Sequence, residues 1–221
     1  MTAKTDWNDP SLAHWYNSML GFSAPQIAEY MARLDLAPGD SLVDFGCGNG
    51  ELLFHAAPLV KTALGVDESA VQLEAARKKN AGRPNVSFIE QKFETCRLDG
   101  CSFTKGSARK SLHHLTDESK KEFFSRIGGN FLRNARFVIE DAVLDFELRD
   151  LSENLTRLDA EAAKFYAPNW QLIREQFMRM MTGEYPASLA AWQTAVSSGG
   201  FKIIKHEKRT CFYGILTLEK I

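Results

Sequence analysis

Residues 42–50 read Leu-Val-Asp-Phe-Gly-Cys-Gly-Asn-Gly, an apolar run that ends in an acid and breaks into three alternating glycines. Glycines can take positive φ, and without Cβ atoms they let a ligand lie against bare backbone at the start of the following helix. The segment reads as a strand entering a tight nucleotide loop.

Spacing narrows the ligand. A dinucleotide site requires G-x-G-x-x-G with a small residue in the third position, and here Glu51 stands there, which disfavours a pyrophosphate packed against the helix start. Further on, Leu64-Gly65-Val66-Asp67 is a second apolar strand that ends in a carboxylate. An acid at that place can accept hydrogen bonds from both ribose hydroxyls of a nucleoside.

On these residues the chain resembles the class I S-adenosylmethionine-dependent methyltransferases. Asp44-x-Gly46-x-Gly48-x-Gly50 is similar to that family's first motif, and Val66-Asp67 to its second. His113-His114-Leu115 stands where the family has a stretch after its fourth strand. The resemblance covers roughly residues 38–145 and returns at 199–219. It implies a Rossmann-like, doubly wound α/β fold with a seven-stranded, mostly parallel sheet. It also implies S-adenosylmethionine as donor and S-adenosylhomocysteine as product.

The resemblance assigns the cofactor site to Asp44, Gly46, Cys47, Gly48, Asn49 and Gly50 in the loop, with Asp67 and Glu68 at the second strand end. Asp44 is expected to fix the methionine amino group. Gln91, Lys92 and Phe93 lie where the family contacts adenine, but the expected acid is replaced by Lys92. Gln91, Glu94 or backbone near Phe93 are the substitutes.

Length and composition fit one such domain. At 221 residues and 44% hydrophobic content the chain can bury a full core, whereas two independent domains would be cramped. A formal net charge of −1 removes the electrostatic case for nucleic acid. Cys47, Cys96, Cys101 and Cys211 form no C-x-x-C pair and have no companion histidines at zinc-ligand spacing, so no metal is expected. Reduced thiols, a polar amino terminus and the lack of a spanning apolar stretch predict a cytoplasmic protein that does not enter a membrane.

Along the chain, residues 1–37 are expected to hold two lead-in helices, at Ala13–Leu20 and Pro25–Leu36, whose Trp15 and Tyr16 either cover the cofactor or pack on the sheet. Residues 38–145 form the cofactor-binding core. Within it, Ser69-Ala70-Val71-Gln72 matches a capping box, and Thr116 caps a helix that buries Phe123, Phe124 and Ile127. The fourth strand is placed by resemblance at Cys101–Gly106, which lacks the apolar run of a central parallel strand. Residues 146–198 are helical throughout and read as a cap inserted between strands five and six. Residues 199–221 supply the last two strands, the final one antiparallel.

Methyl transfer from a sulfonium needs alignment and exclusion of water more than a fixed triad. His113 and His114 are candidate bases or structural residues. Glu140 and Asp141 either bind a cationic group or end a strand. Tyr166, Trp170, Tyr185 and Trp192 either wall an acceptor or fill core. The run Lys105-Gly106-Ser107-Ala108-Arg109-Lys110 is expected to form a loop beside the methyl group, with Arg109 gripping an anionic acceptor. The leading reading is methyl transfer to a small molecule. The alternative is an S-adenosylmethionine-binding regulatory or partner module without transferase activity. Acceptor atom, pathway and oligomeric state are left open.

Overall fold

The computed structural model describes residues 8–19 and 23–221. Its centre is a sheet of β1 (Ser41–Phe45), β2 (Thr62–Asp67), β3 (Val86–Glu90), β4 (Phe103–Arg109), β5 (Phe131–Asp141), β6 (Phe201–Lys208) and β7 (Gly214–Lys220). The strand order is β3-β2-β1-β4-β5-β7-β6. The first five strands are parallel, and β7 runs antiparallel to both of its neighbours. This is the doubly wound α/β sheet expected from the resemblance, with its order reversing at β1 and β4. In such sheets ligands bind beyond the carboxyl ends at the reversal.

The helices are α1 (Pro10–Met19), α2 (Ala24–Leu34), α3 (Glu51–Ala56), α4 (Ala70–Lys79), α5 (Asp117–Ile127), α6 (Leu151–Phe165), α7 (Trp170–Gly183) and α8 (Leu189–Ser198). The caps read from sequence are present: Ser69 Oγ accepts from the Gln72 N–H at 3.1 Å and Thr116 Oγ1 from the Ser119 N–H at 3.1 Å. Each satisfies a donor that the helix start leaves without an intrahelical partner.

The central strand β4 lies two residues later than expected and carries the Lys105–Arg109 run inside the sheet. Its small residues are required by its neighbours. A Cβ on Gly106 would stand 2.3 Å from Phe137 and 2.9 Å from Phe131, whose rings fill one face of the sheet. On the other face, the fully buried Tyr30 of α2 sends its hydroxyl to the Val138 carbonyl at 2.8 Å and lies 3.0 Å from Ser107 Oγ. Bulk supplied by adjacent elements replaces the apolar run that the strand lacks.

The helical stretch at 146–198 divides in two. α6 and α7 bury Leu158, Trp170, Ile173 and Phe177 against Phe212 and Tyr213, in a cluster of their own beside the sheet edge. α8 instead joins the main core through Trp192, Ala195 and Val196, and packs with α5. Residues 143–144 and 187–188 pair as a short parallel ladder at this junction.

Tyr30→Phe tests the latch of α2 onto β4 and β5. It leaves a buried carbonyl without its donor, and such a loss costs about 1–3 kcal/mol. Urea unfolding should show a lower midpoint with an unchanged slope.

Candidate functional site

The glycine loop closes between the ends of β1 and β2. Gly46, Gly48 and Gly50 all adopt positive φ, at 69°, 51° and 70°. The outer two are also needed for packing: a Cβ on Gly46 would meet Ser111 at 2.4 Å, and one on Gly50 would meet Asn80 at 2.8 Å. Among the described residues Gly48 has only Gln72 Oε1 near it, at 4.0 Å, so its bare backbone borders the cavity. The N–H groups of Gly46 and Cys47 both donate to the Val66 carbonyl, at 2.8 and 3.1 Å.

A cavity of about 160 Å³ opens above this loop. Asp44, Gly46, Cys47, Gly48, Asn49, Asp67, Glu68, Gln91 and Phe93 line it, so most residues assigned from the sequence meet in one place. Two do not line it. Gly50 sits behind the loop as the cap of α3, and Lys92 is exposed with its side chain outside the cavity wall. Glu94 stands in the wall instead, with Gln91, whose Oε1 accepts the Arg97 N–H at 2.8 Å.

Asp67 takes the Gly48 N–H on one oxygen at 2.8 Å and the Ser69 N–H on the other at 2.9 Å. The carboxylate at the end of β2 therefore holds the loop in shape as well as facing the cavity. Asp44 is buried at the cavity floor. Burial raises its pKa to about 7, with Asp67 adding to the rise, while a hydrogen bond to Ser107 and the Arg109 charge oppose it.

The cationic run is not the loop that the sequence suggested. Lys105 lies at the opposite end of the sheet, where its Nζ donates to the Asp35 carbonyl at 2.6 Å and pairs with Asp40. Arg109 does reach the cavity, but its Nε is bonded to Glu140 at 2.8 Å, and Glu140 also accepts the Tyr213 hydroxyl at 2.9 Å. Glu140 thus neutralises a neighbour within the protein. Lys110, which follows β4 with a positive φ of 50°, projects into the site. Burial and then the Arg109 charge bring its pKa down to about 7, against Glu140 and Asp141.

A second cavity of about 70 Å³ adjoins the first and shares Lys110 and His114 with it. Its apolar wall is Trp15, Tyr166, Ile173, Phe177 and Met180. Of the four aromatics considered from sequence, only Tyr166 lines it. Trp170 is buried in the α6–α7 cluster, Tyr185 is largely exposed, and Trp192 donates its indole N–H to the Ala142 carbonyl at 3.1 Å in the main core. The side chain of Tyr16 lies outside the described residues.

His113 and Asp141 are buried together between the cavities. Asp141 accepts the N–H groups of Ser111, Leu112 and His113 on one oxygen, and the Ala142 N–H and His113 Nδ1 on the other, the last at 2.5 Å. Burial raises the Asp141 pKa, but the His113 charge and these donors outweigh it and bring it down to about 2. Burial would likewise lower His113, yet Asp141 and Glu184 carry it up to about 10. Asp141 is therefore an organiser of the loop before α5, and His113 is held as a partner of carboxylates, which weakens it as a base at neutral pH.

Sequence reasoning missed Glu184, Ser111 and Gln72. Glu184 follows Gly183 at the end of α7 with no motif around it, whereas Gln72 was named from sequence only as the last residue of the Ser69–Gln72 cap and not as part of the cavity wall.

Known proteins agree with this architecture. Residues 42–130 match the family model described as a methyltransferase domain. A protein of Invertebrate iridescent virus 6 named as a methyltransferase is 24% identical over 131 residues, which are 54% of this chain. The matched region is 47% of the viral protein, so the chain spans about half of that relative. An O-methyltransferase family protein from Burkholderia thailandensis superposes with a TM-score of 0.68 at 16% identity, over 96% of this chain and 60% of that one. The magnesium protoporphyrin IX methyltransferase of Synechocystis PCC 6803, solved with bound SAH, superposes with a TM-score of 0.65 at 17% identity, over 97% and 96%. Residues 42–130 are thus similar to a methyltransferase domain, and the fold is one shared with S-adenosylmethionine-dependent methyltransferases.

Asp44 gives a pH test. Its folded pKa of about 7 lies above the unfolded value, so the native state holds a proton that unfolding releases, and stability falls as pH rises through roughly 4 to 7. Asp44→Asn should melt higher than the parent chain at pH 8, and the difference should vanish near pH 4. Thermal melts across that range check the sign.

Proposed function

We propose that this chain transfers a methyl group from S-adenosylmethionine to a small molecule whose reacting atom enters from the second cavity. The observation that carries the reading is the junction of the two cavities at Lys110 and His114. One cavity has a bare glycine backbone and two strand-end carboxylates, suited to a nucleoside and an ammonium group. The other is mainly apolar and aromatic. An in-line displacement needs this arrangement, with donor and acceptor meeting at one point screened from bulk water.

In this reading Asp44 faces the methionine ammonium, which draws its carboxylate into the ionised state on binding. Asp67 accepts from the ribose, and Gln91 or Glu94 accepts from the adenine amino group in place of Lys92. Lys110 is the cation nearest the acceptor, so an acceptor with a carboxylate or phosphate remains favoured, held by Lys110 rather than by Arg109 or Lys105. No helix among the described residues is long and apolar enough to cross a membrane, and the four cysteines are free thiols. These two facts support a cytoplasmic site of action.

Calorimetry with S-adenosylmethionine, S-adenosylhomocysteine and NADH tests the donor. Binding of both sulfur nucleosides and not of NADH is expected. Gly48→Ala should fold with a loss on the order of 1–2 kcal/mol from its left-handed φ, and should lose at least tenfold in affinity because its methyl group enters the ligand's space. Asp67→Asn should lose roughly tenfold to a hundredfold in affinity, in keeping with a charge-assisted hydrogen bond of about 1.5–3 kcal/mol. Unchanged affinity in both variants would move the cofactor elsewhere.

For the reaction, a metabolite screen with isotopically labelled donor should yield a labelled acceptor. Lys110→Met should raise the KM for an anionic acceptor at least tenfold while sparing donor affinity. Tight donor binding with no turnover across the screen would favour the binding-module alternative.

A further inference from the structure

His113, His114 and Glu184 bring three donor atoms together where the two cavities meet. Consecutive residues on a 3₁₀ turn point about 120° apart, yet the two imidazoles lie with ring centroids 4.3 Å apart. Glu184 arrives from the end of α7 in an extended conformation. The next residue fixes it there: the Tyr185 N–H donates to the His113 carbonyl at 2.9 Å.

From this geometry we infer a divalent transition-metal site, of a type that takes zinc, formed by His113 Nε2, His114 Nδ1 and Glu184 Oε2. The inference does not depend on the methyl-transfer reading. Four observations carry it.

The first is ligand spacing. Glu184 Oε2 lies 3.2 Å from His113 Nε2 and 3.3 Å from His114 Nδ1. Donors bound to zinc at about 2.0–2.1 Å in a tetrahedron stand about 3.3 Å from one another. All three donor atoms fall within 4.8 Å of each other.

The second is the state of that oxygen. Glu184 Oε2 is buried and has no hydrogen-bond partner among the described residues, despite two ring nitrogens in reach. Its two close neighbours are ring nitrogens of two different residues, as in a set of ligands converging on one centre.

The third is the support behind His113. Its Nδ1 is bonded to Asp141 Oδ1 at 2.5 Å, and Asp141 is itself fixed by four backbone N–H groups. Histidine ligands commonly donate their second ring N–H to a carboxylate, which selects the tautomer with its lone pair on the metal side. The fourth is place. All three residues line the second cavity and His114 lines both, so a three-ligand centre keeps an open position toward whatever occupies that space. Two imidazoles and one carboxylate are a donor set suited to zinc and its neighbours rather than to magnesium or calcium.

The test uses the untagged chain, stripped with a chelator and titrated with Zn²⁺ alone, then with Co²⁺ as a spectroscopic reporter. One metal ion per chain and the visible absorption of four-coordinate cobalt are expected. His114→Ala and Glu184→Gln, both at partly exposed positions, should still melt cooperatively without metal and lose at least a hundredfold in Zn²⁺ affinity. Neither should give the cobalt spectrum. Three results would overturn the inference. They are no stoichiometric uptake, uptake unchanged in both variants, which would assign the metal to the cysteines, or a cobalt spectrum of octahedral, water-rich type.

Discussion

The buried carboxylate of Asp141 is the point on which the site is hung. It ends β5, and through five hydrogen bonds it holds the start of the β4–α5 connection and the imidazole of His113. That connection includes Ser111, whose hydroxyl donates to the Phe45 carbonyl at 3.1 Å and whose side chain occupies the space left by Gly46. One anion therefore ties the ends of β1, β4 and β5 together at the reversal of strand order. An ionised group so placed would be costly if bare, but four backbone N–H groups and the His113 ring compensate its lost hydration.

The same region shows how binding capacity opposes stability. Asp44 and Lys110 sit in desolvated surroundings that disfavour their charged forms. Neither charge is favoured in the ligand-free fold. Gly48 follows the same logic on the backbone, since nothing among the described residues crowds a side chain there, unlike at Gly46 and Gly50. Of the three glycines it is the one whose requirement comes from the cavity.

Much of the core was legible in advance because local rules decided it. The cap at Ser69, the cap at Thr116 and the alternating glycines rely on neighbours within a few residues in sequence and are present, although the box read at Ser69 lacks its reciprocal half: the Ser69 N–H goes to Asp67, and the Gln72 side chain accepts from Asn17. The fourth strand was misplaced for the opposite reason. Lys105-Gly106-Ser107-Ala108-Arg109 looks like a polar loop until Phe131, Phe137 and Tyr30 are set around it. Its two cations then part, Lys105 to the amino-terminal end of the sheet and Arg109 to Glu140 at the carboxyl end. An alternation of side chains along one strand cannot reveal which end will face a ligand.

The sequence alone determined the glycine-rich loop and the carboxylate that ends β2, since glycine stereochemistry and strand–loop–helix spacing act over short distances, whereas the doubly wound order was implied by the family resemblance. The tertiary structure alone decided what the charged residues do. Asp141 became an anchor, Glu140 a partner for Arg109 and Tyr213, and Lys110 the buried amine shared by two cavities. Glu184, distant in sequence and without a motif, was brought to the two histidines by the packing of α7. Electrostatic roles depend on which groups share a buried volume, and that is fixed only when remote segments meet.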